Sequence, residues 1–396
     1  MNLSTKWLPE IPTSWQIANP KTLFSERTQK SSVSDIHLTP SQKFGVLPQS
    51  EYMEMSGGSV VLNLAGSDNM KHVEKNDFII HLRSFQGGIE HSNYSGKVSN
   101  AYCVLKPTQQ IEPRYFRWVL KSQGYIQELN ATTDQLRDGQ SIKFEQFASI
   151  GLPLPPIEVQ RRIADYLDNQ LSIINKMEEL SKLLVKLTHE ELRAKNEQLF
   201  AMSDVPRIPL RRIAKLITEK RNELLPTVSL DLVKARRGTL IVNELPFTEG
   251  LTSTKMKKGD IAFGKLRPYL GKVFLATKET FAESEFIVMR ADKNLLSEQY
   301  LSKYLITHEV LNELESLSVG SKMPRTSWDQ IASLMVPVPN LKIQQKINEG
   351  IASNVSLANK KEALLLELSA KLDEYRISLI TGVITGTIEK PWERRK

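Results

Sequence analysis

The feature that most constrains this chain is that it repeats itself. The segment Pro153-Leu154-Pro155-Pro156-Ile157, followed by Gln160-Arg161-Arg162-Ile163, returns 184 residues later as Pro337-Val338-Pro339-Asn340-Leu341 and Gln344-Gln345-Lys346-Ile347. Four further correspondences fall in the same order. Phe144 and Gln146 match Trp328 and Gln330, and Tyr102-Cys103-Val104-Leu105 matches Phe286-Ile287-Val288-Met289, both at 184. Tyr115-Phe116 matches Tyr300-Leu301 at 185, and Lys75-Asn76-Asp77-Phe78 matches Lys258-Gly259-Asp260-Ile261 at 183. Offsets this constant, kept in order, mark a tandem duplication of one structural unit of about 185 residues.

Each unit reads as two parts. The first is mixed: Asp77–Leu82, Ala101–Leu105, Ile261–Phe263, Lys272–Ala276 and Phe286–Met289 are short apolar runs bounded by Gly, Ser and Asn, the pattern of strands. Arg114–Gln127 and Glu298–Leu314 have the spacing of single helices. The second part is one long helix. Pro155-Pro156 opens the first, and no Pro or Gly interrupts Ile157–Phe200, a length of roughly 66 Å at about 1.5 Å per residue. Its stripe runs Ile163, Leu167, Leu171, Ile174, Met177, Leu180, Leu184, Leu187. Asn340 caps the second, whose stripe runs Ile343, Ile347, Ile351, Val355, Ala358, Leu365, Leu368, Leu372, Tyr375, Leu379 before an end near Gly382. A helix this long cannot bury its stripe on a small domain alone, but two in one chain can pair as an antiparallel coiled coil. The expected architecture is α/β (α+β), with a pseudo-two-fold internal repeat. Domains at 1–152 and 204–336 alternate with helices at 153–203 and 337–396.

Composition narrows the function. The single cysteine, Cys103, excludes an internal disulfide framework and a cysteine zinc site, and in an apolar run it is expected to be structural. The six histidines have no helical metal spacing. No phosphate-binding loop is present: Gly264…Gly271-Lys272-Val273 has the wrong spacing and no hydroxyl for magnesium. There is no Gly-x-Ser-x-Gly nucleophile elbow. No cofactor is therefore expected of this chain. The absence of a secretory signal or long apolar stretch points to the cytoplasm.

The net charge of +8 is unevenly placed. The first 203 residues hold 22 basic and 22 acidic side chains, residues 204–336 hold 21 and 16, and residues 337–396 hold 10 and 7. Reading DNA needs side chains that reach base edges and cations that neutralise phosphates. The second unit offers Lys257 and Lys258, then a loop with Lys265, Arg267 and Tyr269, then Lys322 and Arg325. The first unit offers Arg83, Phe85 and Gln86 in the corresponding loop, and Arg137, Gln140 and Lys143 opposite the Gly-Ser-Lys segment. A shared frame with different polar loops is what two readers of two different half-sequences would show.

These features resemble the specificity subunits of type I restriction–modification enzymes. The opening Ile11-Pro12-Thr13-Ser14-Trp15 is similar to the family's start, and Leu152–Pro156 with Gln160–Ala164 to its junction into the central helix. Lys258–Lys272 resembles a target-recognition segment, and Leu379–Gly386 the end of the distal helix. The second junction departs, with Asn340 for a proline and Gln344-Gln345-Lys346-Ile347 for the usual Glu-Gln-x-x-Ile. The resemblance implies a non-catalytic subunit whose two domains each read half of a split duplex target, with the helices as spacer. It also implies two adenine methyltransferase subunits docked on the helices, through Gln160, Arg161, Gln344 and Gln345, and two ATP-driven translocase–nuclease subunits. Two rival readings remain: a self-contained DNA methyltransferase or nuclease with degenerate motifs, and a coiled-coil scaffold that does not bind DNA.

Overall fold

The computed structural model describes residues 3–8, 11–57, 70–132, 142–220, 223–249, 252–318 and 323–388, and only the backbone of Phe85. The chain forms two compact units, Met1–Ser181 with Leu366–Lys396, and Lys182–Leu365. Each takes in a domain and half of each long helix, a different division from the four consecutive segments above.

In the first unit, a four-stranded antiparallel sheet has the order Phe24–Glu26, Cys103–Pro107, Phe78–Ile80, Glu90–His91. The second repeats it with Ala214–Ile217, Phe286–Ala291, Ile261–Gly264, Val273–Leu275. The register repeats as well: Phe78 lies between Leu105 and His91, and Ile261 between Met289 and Leu275. The central strands are continuous apolar runs because both faces are covered. Phe78 and Ile80 join a core with the helices, while Ile79 joins a second cluster over the smaller pair Lys71–Val73 and Gly96–Val98. Ile261 and Phe263 likewise face one cluster and Ala262 the other, over Thr254–Met256 and Thr280–Ala282.

A shared brace holds the turn before each central strand. Asn76 and Gly259 take positive φ (75° and 92°), a conformation that Asn and Gly tolerate best. The next residue, Asp77 or Asp260, is buried and accepts a backbone N–H from Glu74 (2.8 Å) or Lys257 (2.7 Å). Both carboxylate oxygens then take an arginine: Arg27 at 2.6 and 3.1 Å, Arg290 at 2.6 and 2.7 Å. Arg27 follows the strand Phe24–Glu26 whereas Arg290 lies within Phe286–Ala291, so the aspartate is the repeated part of the brace.

Two expectations about helices need correcting. Arg114–Gln127 is two helices, Pro113–Val119 and Gln123–Ala131, and Glu298–Leu314 is Glu298–Tyr304 and His308–Leu317. The hydroxyls at the breaks bond back to the preceding helix, Ser122 to the Val119 carbonyl (2.8 Å) and Thr307 to that of Tyr304 (2.7 Å). Such side-chain bonds compete with helix continuation. The second long helix also outruns Gly382. It spans Leu341–Thr385 and stops at Gly386, which has φ 73°. Gly382 instead lets the chain fold back, and its carbonyl accepts the Ile388 N–H at 3.1 Å.

The first long helix spans Ile157–Gln198. Within the first unit its early turns bury Ile163, Leu167, Leu171 and Ile174 with Leu372, Leu379 and Val383 of the second. Within the second unit, Glu191 pairs with Lys361 (2.8 Å) and Asn196 bonds Asn354 (3.0 Å), so partners run in opposite directions as an antiparallel coiled coil requires. The expected stripes are only partly buried. Met177, Leu180, Leu184, Leu187, Leu368 and Tyr375 are exposed, while Ser181, Thr188 and Ala358 are buried. A two-helix seam covers only a narrow strip, so the flanking apolar residues stay open.

Candidate DNA interface

The strand Ile261–Gly264 carries the second unit's candidate loops at its two ends. Lys257 and Lys258 are exposed on the turn before it. Lys265, Arg267 and Tyr269 follow it, across a strand roughly 13 Å long at about 3.3 Å per residue. Lys257 and Lys258 thus lie at one end of this strand and Lys265, Arg267 and Tyr269 at the other. The loop after the strand is joined instead by the segment carrying Arg325: Leu266 bridges Arg325, the Arg267 N–H donates to the Pro324 carbonyl (2.8 Å), and that of Thr326 to Lys265 (3.0 Å). Lys322 lies outside the described residues.

Within this surface the cations are not equivalent. The Lys265 ammonium donates to the Ser284 carbonyl at 2.5 Å, and Arg325 pairs with Glu285 at 2.9 Å. Tyr269 is half-buried, and its carbonyl accepts from Arg236 Nε at 3.1 Å. Arg267 is exposed at φ 51°, and no hydrogen bond or ion pair engages its side chain among the described residues. It is the cation in this surface with its guanidinium left open.

The first unit repeats the position of the arginine. Arg83 follows the central strand, is exposed, and also has no side-chain partner among the described residues. Its carbonyl accepts from Gln42 Nε2 (3.1 Å), which also approaches exposed Gln86 (3.5 Å). Lys143 is exposed at the start of the helix Phe144–Ala148, and its N–H donates to Gln146 Oε1 at 2.8 Å. Ser327, 184 residues on, bonds Gln330 Oε1 in the same way at 2.9 Å. Arg137 and Gln140 lie outside the described residues, as does the side chain of Phe85.

Treating the two loops as divergent missed their closest agreement. Leu82-Arg83-Ser84-Phe85 and Leu266-Arg267-Pro268-Tyr269 stand 184 residues apart, with the same leucine and arginine and an aromatic in register. Also missed was the turn Lys234–Gly238. The Arg236 N–H donates to the Leu270 and Gly271 carbonyls (3.0 and 3.2 Å), backing the Tyr269 loop as Gln42 backs the Arg83 loop.

His81, just before Arg83, is buried beside cations. Burial, with help from Lys121 and Arg83, lowers His81 to about 4, so it is neutral at neutral pH. Cys103 is buried in its strand, and burial raises its thiol to about 12, which suits a packing role. No group of three or more His, Cys, Asp or Glu side chains placed to hold a metal occurs among the described residues.

Gln160 and Gln344 correct the docking expectation. Both are buried. Gln160 donates to the Pro155 carbonyl (2.8 Å) and accepts from the Glu112 N–H (2.9 Å). Gln344 donates to Pro339 (2.8 Å) and Leu295 (2.9 Å) and accepts from Ser297 (2.8 Å). A glutamine buried and bonded in this way fastens the start of the helix to its own domain. Arg161 and Gln345 are exposed, bonded along the helix to Glu158 (2.7 Å) and Glu349 (2.9 Å).

Two similar units, each with an open arginine beyond its central strand and half of a helical pair, define a duplicated recognition protein. The family model of the type I restriction modification DNA specificity domain matches residues 17–185 and 243–367. The chain belongs to this family: it is a specificity subunit of a type I restriction–modification system. It is 20% identical over 360 residues to the EcoDI specificity subunit of Escherichia coli, covering 78% of each chain. It is 23% identical over 273 residues to the MjaVIII specificity subunit of Methanocaldococcus jannaschii, covering 61% of this chain and 63% of that one. Among solved structures, a chain from a study of the assembly and conformational transition of the type I system matches with a TM-score of 0.72 at 13% identity, over 96% of this chain and 100% of that one. The HsdS subunit of Thermoanaerobacter tengcongensis matches with a TM-score of 0.62 at 15% identity, over 98% and 100%. These likenesses show the shared fold.

Proposed function

We propose that each unit reads one half of a bipartite duplex target, and that the helical pair sets the gap between the halves. The observation that carries this is the register of Arg83 with Arg267, two open guanidiniums on the same strand end of two repeated domains. Arginine is well suited to bidentate reading of guanine in the major groove. Lys143, Lys257 and Lys258, which are exposed, and Lys265 and Arg325, which are already engaged, serve phosphates or hold loops. The assignments of Phe85, Gln86, Arg137, Gln140, Tyr269 and Lys322 to DNA remain part of the same proposal.

The chain carries recognition and leaves chemistry to partners. Two adenine methyltransferase subunits dock on the helical pair, and two ATP-driven translocase–nuclease subunits complete the complex in the cytoplasm. The exposed apolar residues support this: Ile173, Met177, Leu180, Leu366, Leu368 and Tyr375 on the first unit's helices, and Leu183, Leu184, Leu187, Leu357 and Leu364 on the second's. An open apolar surface of that kind marks a protein interface. Arg161 and Gln345, exposed near the helix starts, are proposed as further docking residues. No helix among the described residues is long and apolar enough to cross a membrane.

The test is co-expression with the methyltransferase subunit from the same genome, followed by mapping of modified adenines. A split motif that appears only when this chain is present is the expected result. Co-purification without methylation indicates an inactive allele. Failure to associate at all overturns the docking assignment and favours the scaffold reading.

A further inference from the structure

The second unit contains a cleft of about 550 Å³ between the Lys234–Gly238 turn, the Glu298–Tyr304 helix and the helical pair. Six cations line it: Lys186, Arg193, Lys234, Arg236, Arg237 and Lys303. Arg237 lies 3.9 Å from Glu362 and 2.6 Å from His189, and Arg236 Nε donates to the Tyr269 carbonyl, so part of this charge is already engaged. Two carboxylates also line the cleft, and both have partners. Glu190 lies 4.0 Å from Lys186, and Glu197 accepts the His308 N–H at 3.1 Å. Lys303 is the anomaly. Its ammonium has no hydrogen bond or ion pair among the described residues, and burial lowers its pKa. Its Nζ stands against Gly238, 3.6 Å from where a Cβ there would lie. Lys303 is half-buried with no counter-ion among the described residues, and an anion in the cleft would offset the cost of partly desolvating its charge.

Phe200, Leu240, Ile306 and Ile351 give the cleft an apolar wall. The first unit's comparable cleft, about 370 Å³, has no such character. Ile377 and Ile380 line it where the second unit, 184 residues earlier, has Arg193 and Asn196. Its lysine, Lys121, bonds both oxygens of Glu90 at 2.7 and 2.8 Å. The cationic cleft is thus particular to one unit and is not a consequence of the fold.

We propose that this cleft binds a free phosphorylated small molecule of nucleotide size, its phosphate on the Lys303 side and its ring on the apolar wall. The volume falls in the usual range for small-ligand sites, on the order of 300–1,000 Å³. A duplex meets a protein along a line of phosphates, whereas these cations gather around one recess. The ligand touches the turn that backs the Tyr269 loop, so occupancy bears on the second unit alone.

Calorimetric titration of the full chain with inorganic pyrophosphate, AMP and ATP tests this, with a short duplex as competitor. One nucleotide per chain should bind in the micromolar range, with pyrophosphate about tenfold weaker for want of a ring. Lys303→Gln should weaken nucleotide binding at least about tenfold, and Arg193→Ala several-fold. Lys303→Gln removes an uncompensated charge, so the free variant should melt no lower than the parent. Three results overturn the proposal: no heat at millimolar nucleotide, equal binding by both variants, or one-for-one displacement by duplex, which assigns the phosphate to DNA.

Discussion

The two units share a frame and invert its contents. The central sheets agree in strand order and register, yet the first buries His81, Glu90 and His91 where the second has Gly264, Phe274 and Leu275. The clefts against the helices differ the other way, neutral in the first unit and cationic in the second. The repeated features are backbone ladders, the aspartate brace and the buried glutamine. These depend on hydrogen bonds to the main chain, which tolerate drift of neighbouring side chains. The duplicated halves could therefore diverge in their loops and interiors without losing register.

The brace gives the largest test of that statement. Asp260→Ala should strip Arg290 of its counter-ion and cost about 3 kcal/mol, lowering the second unit's unfolding transition in calorimetry and sparing the first. Asp77→Ala should do the converse. Equal shifts of both transitions would mean that the units do not unfold as separate bodies.

Next come the open arginines. Arg267→Ala should cost about 1–3 kcal/mol and relax one position in one half of the target. Arg83→Ala should act on the other half, while Lys257→Ala should weaken all sequences alike and reduce the salt dependence of binding. Binding assays on a panel of single-base variants at fixed salt distinguish the two behaviours.

The buried glutamines should cost less. Gln344→Ala leaves the Ser297 N–H without its partner, a loss of about 1–3 kcal/mol visible in thermal unfolding. Gln160→Ala should do the same in the first unit. Neither should abolish methyltransferase association once the chain is folded, which separates anchoring from docking.

The smallest effect is pH-dependent and confined to the first unit. Burial, then Arg117 and Lys75, lowers His91 to about 4. The unfolded histidine takes up its proton near its ordinary value of 6.5, before the folded one does. Its contribution to stability is thus unchanged above pH 6.5 and becomes unfavourable as pH falls towards 4. Glu90, which burial raises to about 7 against the pull of Lys121, acts in the opposite direction and gains stability as pH falls. Replacing one group isolates its term. His91→Leu, the second unit's residue, should become progressively more stable than the parent below pH 6.5 and show no growing difference above it.

Much of this was legible because duplication is read at the scale of the chain. Five matches near one offset located the paired strands and helix starts without any local prediction. The breaks at Ser122 and Thr307 were missed because the apolar spacing runs through them and the deciding bonds are side chain to main chain. The stripe beyond Ile174 was over-read. Spacing shows which residues share a face, but the width of a two-helix seam decides how many are buried. The docking role of Gln160 came from the family resemblance, and the sequence holds no sign that its amide bonds the main chain of its own domain. Lys303 and Arg236 were silent as well, since their neighbours come from distant segments.

The most direct measurement is a domain exchange. Residues 204–336 would be replaced by the corresponding segment of a specificity subunit with a different target, and methylated adenines mapped after co-expression with the methyltransferase. Half of the split motif should change, with the other half and the gap retained. A change in both halves, or a new motif with no retained half, would contradict a chain built from two independent readers.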